Sequence, residues 1–260
     1  MSYRIAFIPR AMAALRAAFR VPSVVLLGAA AAIPTTQAAV YTVGSPSGPG
    51  QPCTHGTIQS AINAANSNPG ADSIRLTRSL TYQPEANTIN TAQELTIEGG
   101  YATCTQTTPD TTNTVISGAG GAAAPVFTIT APSGALIRMR RLEISGGDVT
   151  GDGHGGGIRF SGVGMLEISH STITSNMAGY GGGISASGAG GIGLLQIGEK
   201  VVIAGNVARH GGGGIYAHEM LMYMVEPDSF LINNEATGVS GNAGFGGGLY
   251  LHTNHRDTIA

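Results

Sequence analysis

Between residues 155 and 252 aliphatic side chains alternate with polar or small ones in short runs, and glycines open each set of runs. The openings are Gly155-Gly156-Gly157-Ile158, Gly181-Gly182-Gly183-Ile184, Gly212-Gly213-Gly214-Ile215 and Gly246-Gly247-Gly248-Leu249. Successive aliphatics lie 26, 31 and 34 residues apart. A repeat of that length with drifting spacing predicts a solenoid in which each repeat is one coil.

What lies between the glycine runs sets the kind of coil. Leu166-Glu167-Ile168 and Thr172-Ile173-Thr174 follow Ile158. Leu195-Gln196-Ile197 and Val201-Val202-Ile203 follow Ile184, and Met222-Tyr223-Met224 and Phe230-Leu231-Ile232 follow Ile215. Each coil is therefore predicted to hold three short strands. Period-two alternation suits a half-buried strand, and helical i, i+3, i+4 stripes are missing. An Asn trails the last strand in Ile173-x-x-Asn176, Ile203-x-x-Asn206 and Phe230-x-x-Asn233. Asn tolerates the left-handed conformation of a sharp bend, and stacked Asn side chains can bond to one another along an axis. Glycine allows positive φ and close approach of neighbouring backbones.

These residues resemble the right-handed parallel β-helix proteins of the pectate-lyase-like superfamily. More narrowly, they look like secreted bacterial members with glycine-rich GGGI turns. Chlamydial polymorphic outer membrane proteins, with GGAI and FxxN repeats, are related in pattern, and Phe230-Leu231-Ile232-Asn233 fits FxxN. The resemblance covers about residues 53 to 252. It implies an all-β, single-stranded right-handed parallel β-helix of about six to seven coils with a short N-terminal capping α-helix. It is weak for function, because this fold hosts lyases, hydrolases, adhesins and inert stalks.

Upstream, Thr57 to Asn66 has helical spacing, with Ile58, Ala61, Ile62 and Ala65 on one face. Thr57 can cap its start and Asn68-Pro69-Gly70 stops it. The family implies such a helix before the first coil, carried here by Ala61-Ile62-Asn63-Ala64-Ala65-Asn66. The runs at Ser73 to Leu76, Thr88 to Asn90, Glu94 to Glu98, Val115-Ile116, Val126 to Ile129, Leu136 to Met139 and Leu142 to Ile144 read as strands. Gly99-Gly100-Tyr101 resembles the GGY turn of the same secreted proteins.

Residues 1–39 read as a signal peptide, and residues 40–260 as the β-helix domain. Arg4, Arg10, Arg16 and Arg20 precede an apolar stretch from Val21 to Ile33 that is short for a membrane span. Thr36-Gln37-Ala38 sets small residues for cleavage after Ala38 or Ala39. An uncleaved membrane anchor is the alternative. At the other end Leu249-Tyr250-Leu251 begins a coil that has no capping segment after it. Solenoids need caps, so truncation is the expectation, and the alternative is that another protein or a second copy, by end-to-end self-association, covers the open coil.

Composition narrows the functional classes. The formal net charge is −2; four arginines and no acids precede residue 40, so the remainder carries about −6. That balance excludes a nucleic-acid-binding surface. Cys53 and Cys104 form an even number behind an export signal, which reads as a disulfide, with two reduced core thiols as the alternative.

The candidate chemistry lies in Asp148, Asp152, His154 and Arg159, with Arg141 nearby. Calcium takes six to eight oxygen ligands, and the Asp148–Asp152 loop matches neither the EF-hand nor the calcium-binding nonapeptide spacing. Its plain reading is a solvated turn with no cofactor, and a cation such as calcium held by this loop is the alternative. Gly153-His154-Gly155 resembles the GHG motif of polygalacturonases, but their partner motifs are missing. His210, His218, His252 and His255 could gather on the last coils as a surface metal site or as exposed loop histidines. Tyr180, Tyr216, Tyr223 and Tyr250 are candidates for an aromatic strip that stacks sugars. Tyr216 and Tyr250 each follow the aliphatic of a glycine run by one place, so both should face outward on neighbouring coils.

The expected protein is secreted, periplasmic or on the outer cell surface. It presents an elongated, non-catalytic face to a polysaccharide, a host surface or cell-envelope material. The alternatives are a pectin-active lyase or hydrolase with its site on the same face, and a truncated remnant of a longer surface protein.

Overall fold

A computed structural model describes residues 37–45, 52–83, 87–118, 123–149, 151–224, 228–239 and 243–252. Arg4, Arg10, Arg16, Arg20, Val21 to Ile33, Thr36 and His255 lie outside the described residues. These residues wind into an all-parallel β-solenoid of about six turns, with a single short helix among them near the start.

Strands at equivalent points of successive coils build four sheets. Sheet 1 has seven strands: Val40–Val43, Asp72–Thr77, Glu94–Tyr101, Leu136–Arg140, Met165–Ser169, Gly193–Ile197 and Met220–Met224. Sheet 2 has five: Thr114–Ser117, Leu142–Ser145, Thr172–Thr174, Val202–Ala204 and Phe230–Ile232. Sheet 3 has three: Met177–Tyr180, Val207–Gly211 and Glu235–Ala236. Sheet 4 has six: Asn87–Asn90, Phe127–Thr130, Ile158–Ser161, Ile184–Ser187, Ile215–His218 and Leu249–His252.

Like residues stack along the axis. Phe127, Ile158, Ile184, Ile215 and Leu249 are register partners down sheet 4, and the first four have no exposed surface. Ile116, Ile144, Ile173, Ile203 and Leu231 form the matching inward row of sheet 2. Each fully buried aliphatic stabilises by about 1.5–3 kcal/mol relative to exposure, so these rows are the main reason the coils stay together. The glycine run turns the chain tightly into each row of sheet 4. Gly181 has φ +64, and a Cβ there would lie 2.2 Å from the carbonyl oxygen of Ile184.

The helix is Ile58–Ser67, one residue later than Thr57 to Asn66 because Thr57 is its N-cap. The Thr57 hydroxyl accepts from the Ser60 N–H at 3.1 Å. Ile58, Ala61, Ile62 and Ala65 are buried against the first strands of sheets 1 and 4. That face covers apolar rows that the first coil would otherwise leave in water. Cys53 and Cys104 form a disulfide with their Cα atoms 5.3 Å apart. It fastens the segment before the helix to the segment after Glu94–Tyr101.

Four expectations need correction. The later coils carry a fourth strand, that of sheet 3. Its segments Met177-Ala178-Gly179-Tyr180 and Val207-Ala208-Arg209-His210-Gly211 bury only small residues, Ala178 with Gly179 and Ala208 with Gly211, so hydropathy marks them weakly. Gly99-Gly100-Tyr101 is no turn: the strand runs through it, with a register shift and Gly100 at φ +87.

The last Asn of the repeat is Asn234, not Asn233. Leu231, not Phe230, pairs with Ile203, and Phe230 is 51% exposed. Nor do the repeated Asn residues make the left-handed bend. The residue before each does so, at Ser175 (φ 56), Gly205 (φ 62) and Asn233 (φ 53). The Asn side chains instead form the axial ladder. Asn176 Nδ2 donates to Asn206 Oδ1 at 3.0 Å, and Asn206 Nδ2 donates to Asn234 Oδ1 at 2.9 Å.

Candidate functional site

The residue four places before each glycine-run aliphatic occupies one column. It is His154, Tyr180, Gly211 and Phe245, joined in that order by parallel bridges. The Val207–Gly211 strand carries an extra residue at this point, where Ala178 pairs with Ala208 but Tyr180 pairs with Gly211. The bulge lets His210 supply the ring that Gly211 lacks. His154 stacks on Tyr180 at 5.0 Å between centroids, and Tyr180 stacks on His210 at 4.7 Å.

A second column runs beside it on sheet 4. The outward residue after each aliphatic is Arg159, Ser185, Tyr216 and Tyr250 in register. Tyr216 and Tyr250 therefore face outward on adjacent coils and stack at 5.5 Å with 14° between planes. Tyr180 joins the two columns, with its centroid 5.1 Å from that of Tyr216. Offset and tilted ring pairs at such spacings are favourable.

Between the columns lies a groove of about 760 Å³. Tyr180, Tyr216, Tyr250 and Phe245 supply aromatic surface, and Arg209 and His210 supply polar donors. Concave sites lined by aromatics with a few placed polar groups are what small ligands and short chain segments occupy. Burial raises the Tyr216 phenol above its ordinary range, with the neighbouring Tyr180 and Tyr250 adding to the effect, so it remains a neutral donor.

The proposed chemical residues separate. Asp148 is exposed and its backbone bridges to Met177 at the start of sheet 3. Asp152 lies near the groove and hydrogen-bonds His210 Nε2 through Oδ1 at 2.6 Å. That bond, and the charge on His210, hold its carboxyl below the ordinary range. A carboxyl shifted this way is ionised at neutral pH and unsuited to act as a general acid. His154 is packing: it stacks on Tyr180, and its Nδ1 lies 3.2 Å from the Ser185 hydroxyl. Burial pushes its imidazole downward, and the charges of Arg159 and His218 add to that.

Arg159 is exposed on the outer face of sheet 4. Arg141 turns the corner between sheets 1 and 2 and pairs with Glu98 at 2.7 Å. Tyr223 lies on sheet 1, away from the other tyrosines, in register with Gln196. His218 and His252 stack at 4.9 Å in the other outward column of sheet 4, and His210 is with Tyr180 instead. Among the described residues no group of three or more His, Cys, Asp or Glu side chains is placed to hold a metal ion. Among them, too, no helix is long and apolar enough to cross a membrane.

Phe245 and Arg209 were not expected in a site. The signal for Phe245 is its place four residues before Leu249, matching Tyr180 before Ile184. Arg209 has no such signal, since the bulge that positions it is not written in hydropathy. Comparison with protein-family models, curated proteins and solved structures gave no match to the chain.

Proposed function

We propose that this is a secreted or cell-surface solenoid that binds polysaccharide along the Tyr180–Tyr216–Tyr250 groove without cleaving it. The observation that carries the reading is the contact of these three rings across adjacent coils, beside the groove that they line. Sugar rings offer C–H faces to aromatic surfaces and hydroxyls to donors such as Arg209 and His210. The parallel solenoid supports kinship with the pectate-lyase-like superfamily, and the Cys53–Cys104 disulfide supports an oxidising compartment.

The non-catalytic half of the reading rests on the composition of the groove. Its described lining holds no carboxylate, and the neighbouring Asp152 is the wrong way shifted for an acid. The two-carboxylate route of glycoside hydrolysis therefore has no pair across this groove. The rival reading would use His210, oriented by Asp152, as a base in a lyase reaction.

Affinity electrophoresis through gels containing neutral or acidic polysaccharides tests both. Retardation by at least one polymer is expected, with about tenfold weaker binding for Tyr216→Ala or Tyr250→Ala, a loss near 1.4 kcal/mol. No retardation by any polymer would sink the binding reading. New reducing ends or unsaturated products from the same polymers, abolished in His210→Ala, would favour the lyase.

A further inference from the structure

We propose that the chain is cut between Ala38 and Ala39, and that the new α-ammonium of Ala39 pairs with the buried carboxylate of Asp72. Asp72, away from the groove, opens a sheet 1 strand at 3% exposure. Its Oδ1 accepts the backbone N–H of Ala39 at 2.8 Å and the Asn68 amide at 2.8 Å. Among the described residues no Lys, Arg or His side chain pairs with it. A buried carboxylate without a cation is costly, and the nitrogen already in contact with it belongs to the residue after a small-x-small sequence, Thr36-Gln37-Ala38.

Hydrolysis of the Ala38–Ala39 peptide bond by an export-linked signal endoprotease turns that nitrogen into the missing cation. Water adds its oxygen to the Ala38 carbonyl carbon, leaving a carboxylate. The Ala39 nitrogen leaves as an amine and takes up a proton. A peptide N–H offers one donor and no charge, whereas an ammonium offers three donors and a full charge at the same place.

The neighbouring bond is the poorer choice. A cut after Ala39 would delete both the Ala39 N–H on Asp72 and the Ala39 carbonyl that accepts from Ser73 N–H at 2.9 Å. Gln37 and Ala38 are exposed and Ala39 is partly covered, so the exposed side of the scissile bond is the side that departs.

The full chain, exported by a bacterial host and recovered from outside the cytoplasm, gives the first readout. Tandem mass spectrometry should find a free α-amine on Ala39. An N-terminus at Val40, or an uncut chain, overturns the proposal. The second readout uses the fact that Lys200 is the only lysine and is exposed. An amine-reactive ester at neutral pH should label Ala39 more slowly, relative to Lys200, in the native protein than in urea. The expected factor is about ten, the effect of one unit of raised basicity. Asp72→Asn should remove that protection while Asp72→Glu keeps part of it. Equal relative rates in native and unfolded wild type overturn the ion pair even if neither variant folds.

Discussion

Asn176 and Asn206 occupy the same point of successive coils, and the side-chain amide of the first donates to the side-chain oxygen of the second at 3.0 Å. Asn206 Oδ1 also accepts the backbone N–H of Asn176 at 3.1 Å, and its Nδ2 donates to the carbonyl of Ile173 at 2.9 Å. One buried side chain thus closes a turn and joins three coils. Asn206→Ala orphans the Asn176 N–H and the Ile173 carbonyl, at about 1–3 kcal/mol for each buried group. Asn206→Asp should be worse although it is nearly isosteric, because it sets an acceptor against Ile173 and Asn234 and buries a charge. Urea denaturation checks the order; an Asp variant as stable as wild type would contradict the ladder.

The glycine run makes a sharper test of how close the coils lie. A Cβ on Gly183 would sit 2.7 Å from the Gly214 carbonyl oxygen and 3.1 Å from Asn206 Nδ2. Gly183→Ala must therefore spread two coils or distort the ladder, a cost of about 1–3 kcal/mol typical of overpacking. Gly56→Ala is the control, since a Cβ there meets nothing within 4 Å and its φ is not positive. Thermal melts should separate the two by several degrees, with Gly56→Ala at or slightly above wild type.

The Cys53–Cys104 bridge closes a loop of 51 residues around the capping helix. In the chain-entropy model a loop of this size stabilises by about 4 kcal/mol. The double variant Cys53→Ala/Cys104→Ala should lower the denaturation midpoint accordingly. Hydrogen exchange should show the loss concentrated in Ile58–Ser67 and the first strands, leaving Ile158–Ser187 protected. Uniform loosening of all coils would argue that the solenoid folds as one unit rather than coil by coil.

The inward row of sheet 4 was legible because each aliphatic follows its glycine run directly, as at Ile184 and Ile215. The outward Tyr216–Tyr250 stack followed from the same offset plus the alternation of a strand. Where the signal depended on identity rather than period, the reading slipped. Phe230 looks more like a core residue than Leu231, yet register with Ile203 turns it outward. Ala178 and Ala208 are too small to announce the strands of sheet 3, and those strands carry Tyr180 and His210. His154 looked chemical because of its neighbours Gly153 and Gly155, but its place four residues before Ile158 makes it the start of a ring column. Motif matching sees the glycines; the stacking period explains the histidine.

That role for His154 has a pH consequence. Its imidazole is pushed below the ordinary value of 6.5, first by burial and then by the charges of Arg159 and His218. The unfolded chain therefore binds this proton more readily than the folded one, and stability must fall as pH drops below about 6.5. The groups facing it are Tyr180 and Tyr216, the Ser185 hydroxyl, Arg159 and His218, so no carboxylate among these contacts offsets the new charge. Asp152 acts in a lower window. Its carboxyl is held down by His210, so its contribution is present above about 3.8 and is lost only as pH falls through its depressed folded value. Melting points measured from pH 7.5 to 5 should fall, and His154→Gln, which keeps a hydrogen-bonding group without a titrating ring, should flatten that part of the curve. Equal slopes in wild type and His154→Gln would show that the stacked histidine is not what titrates.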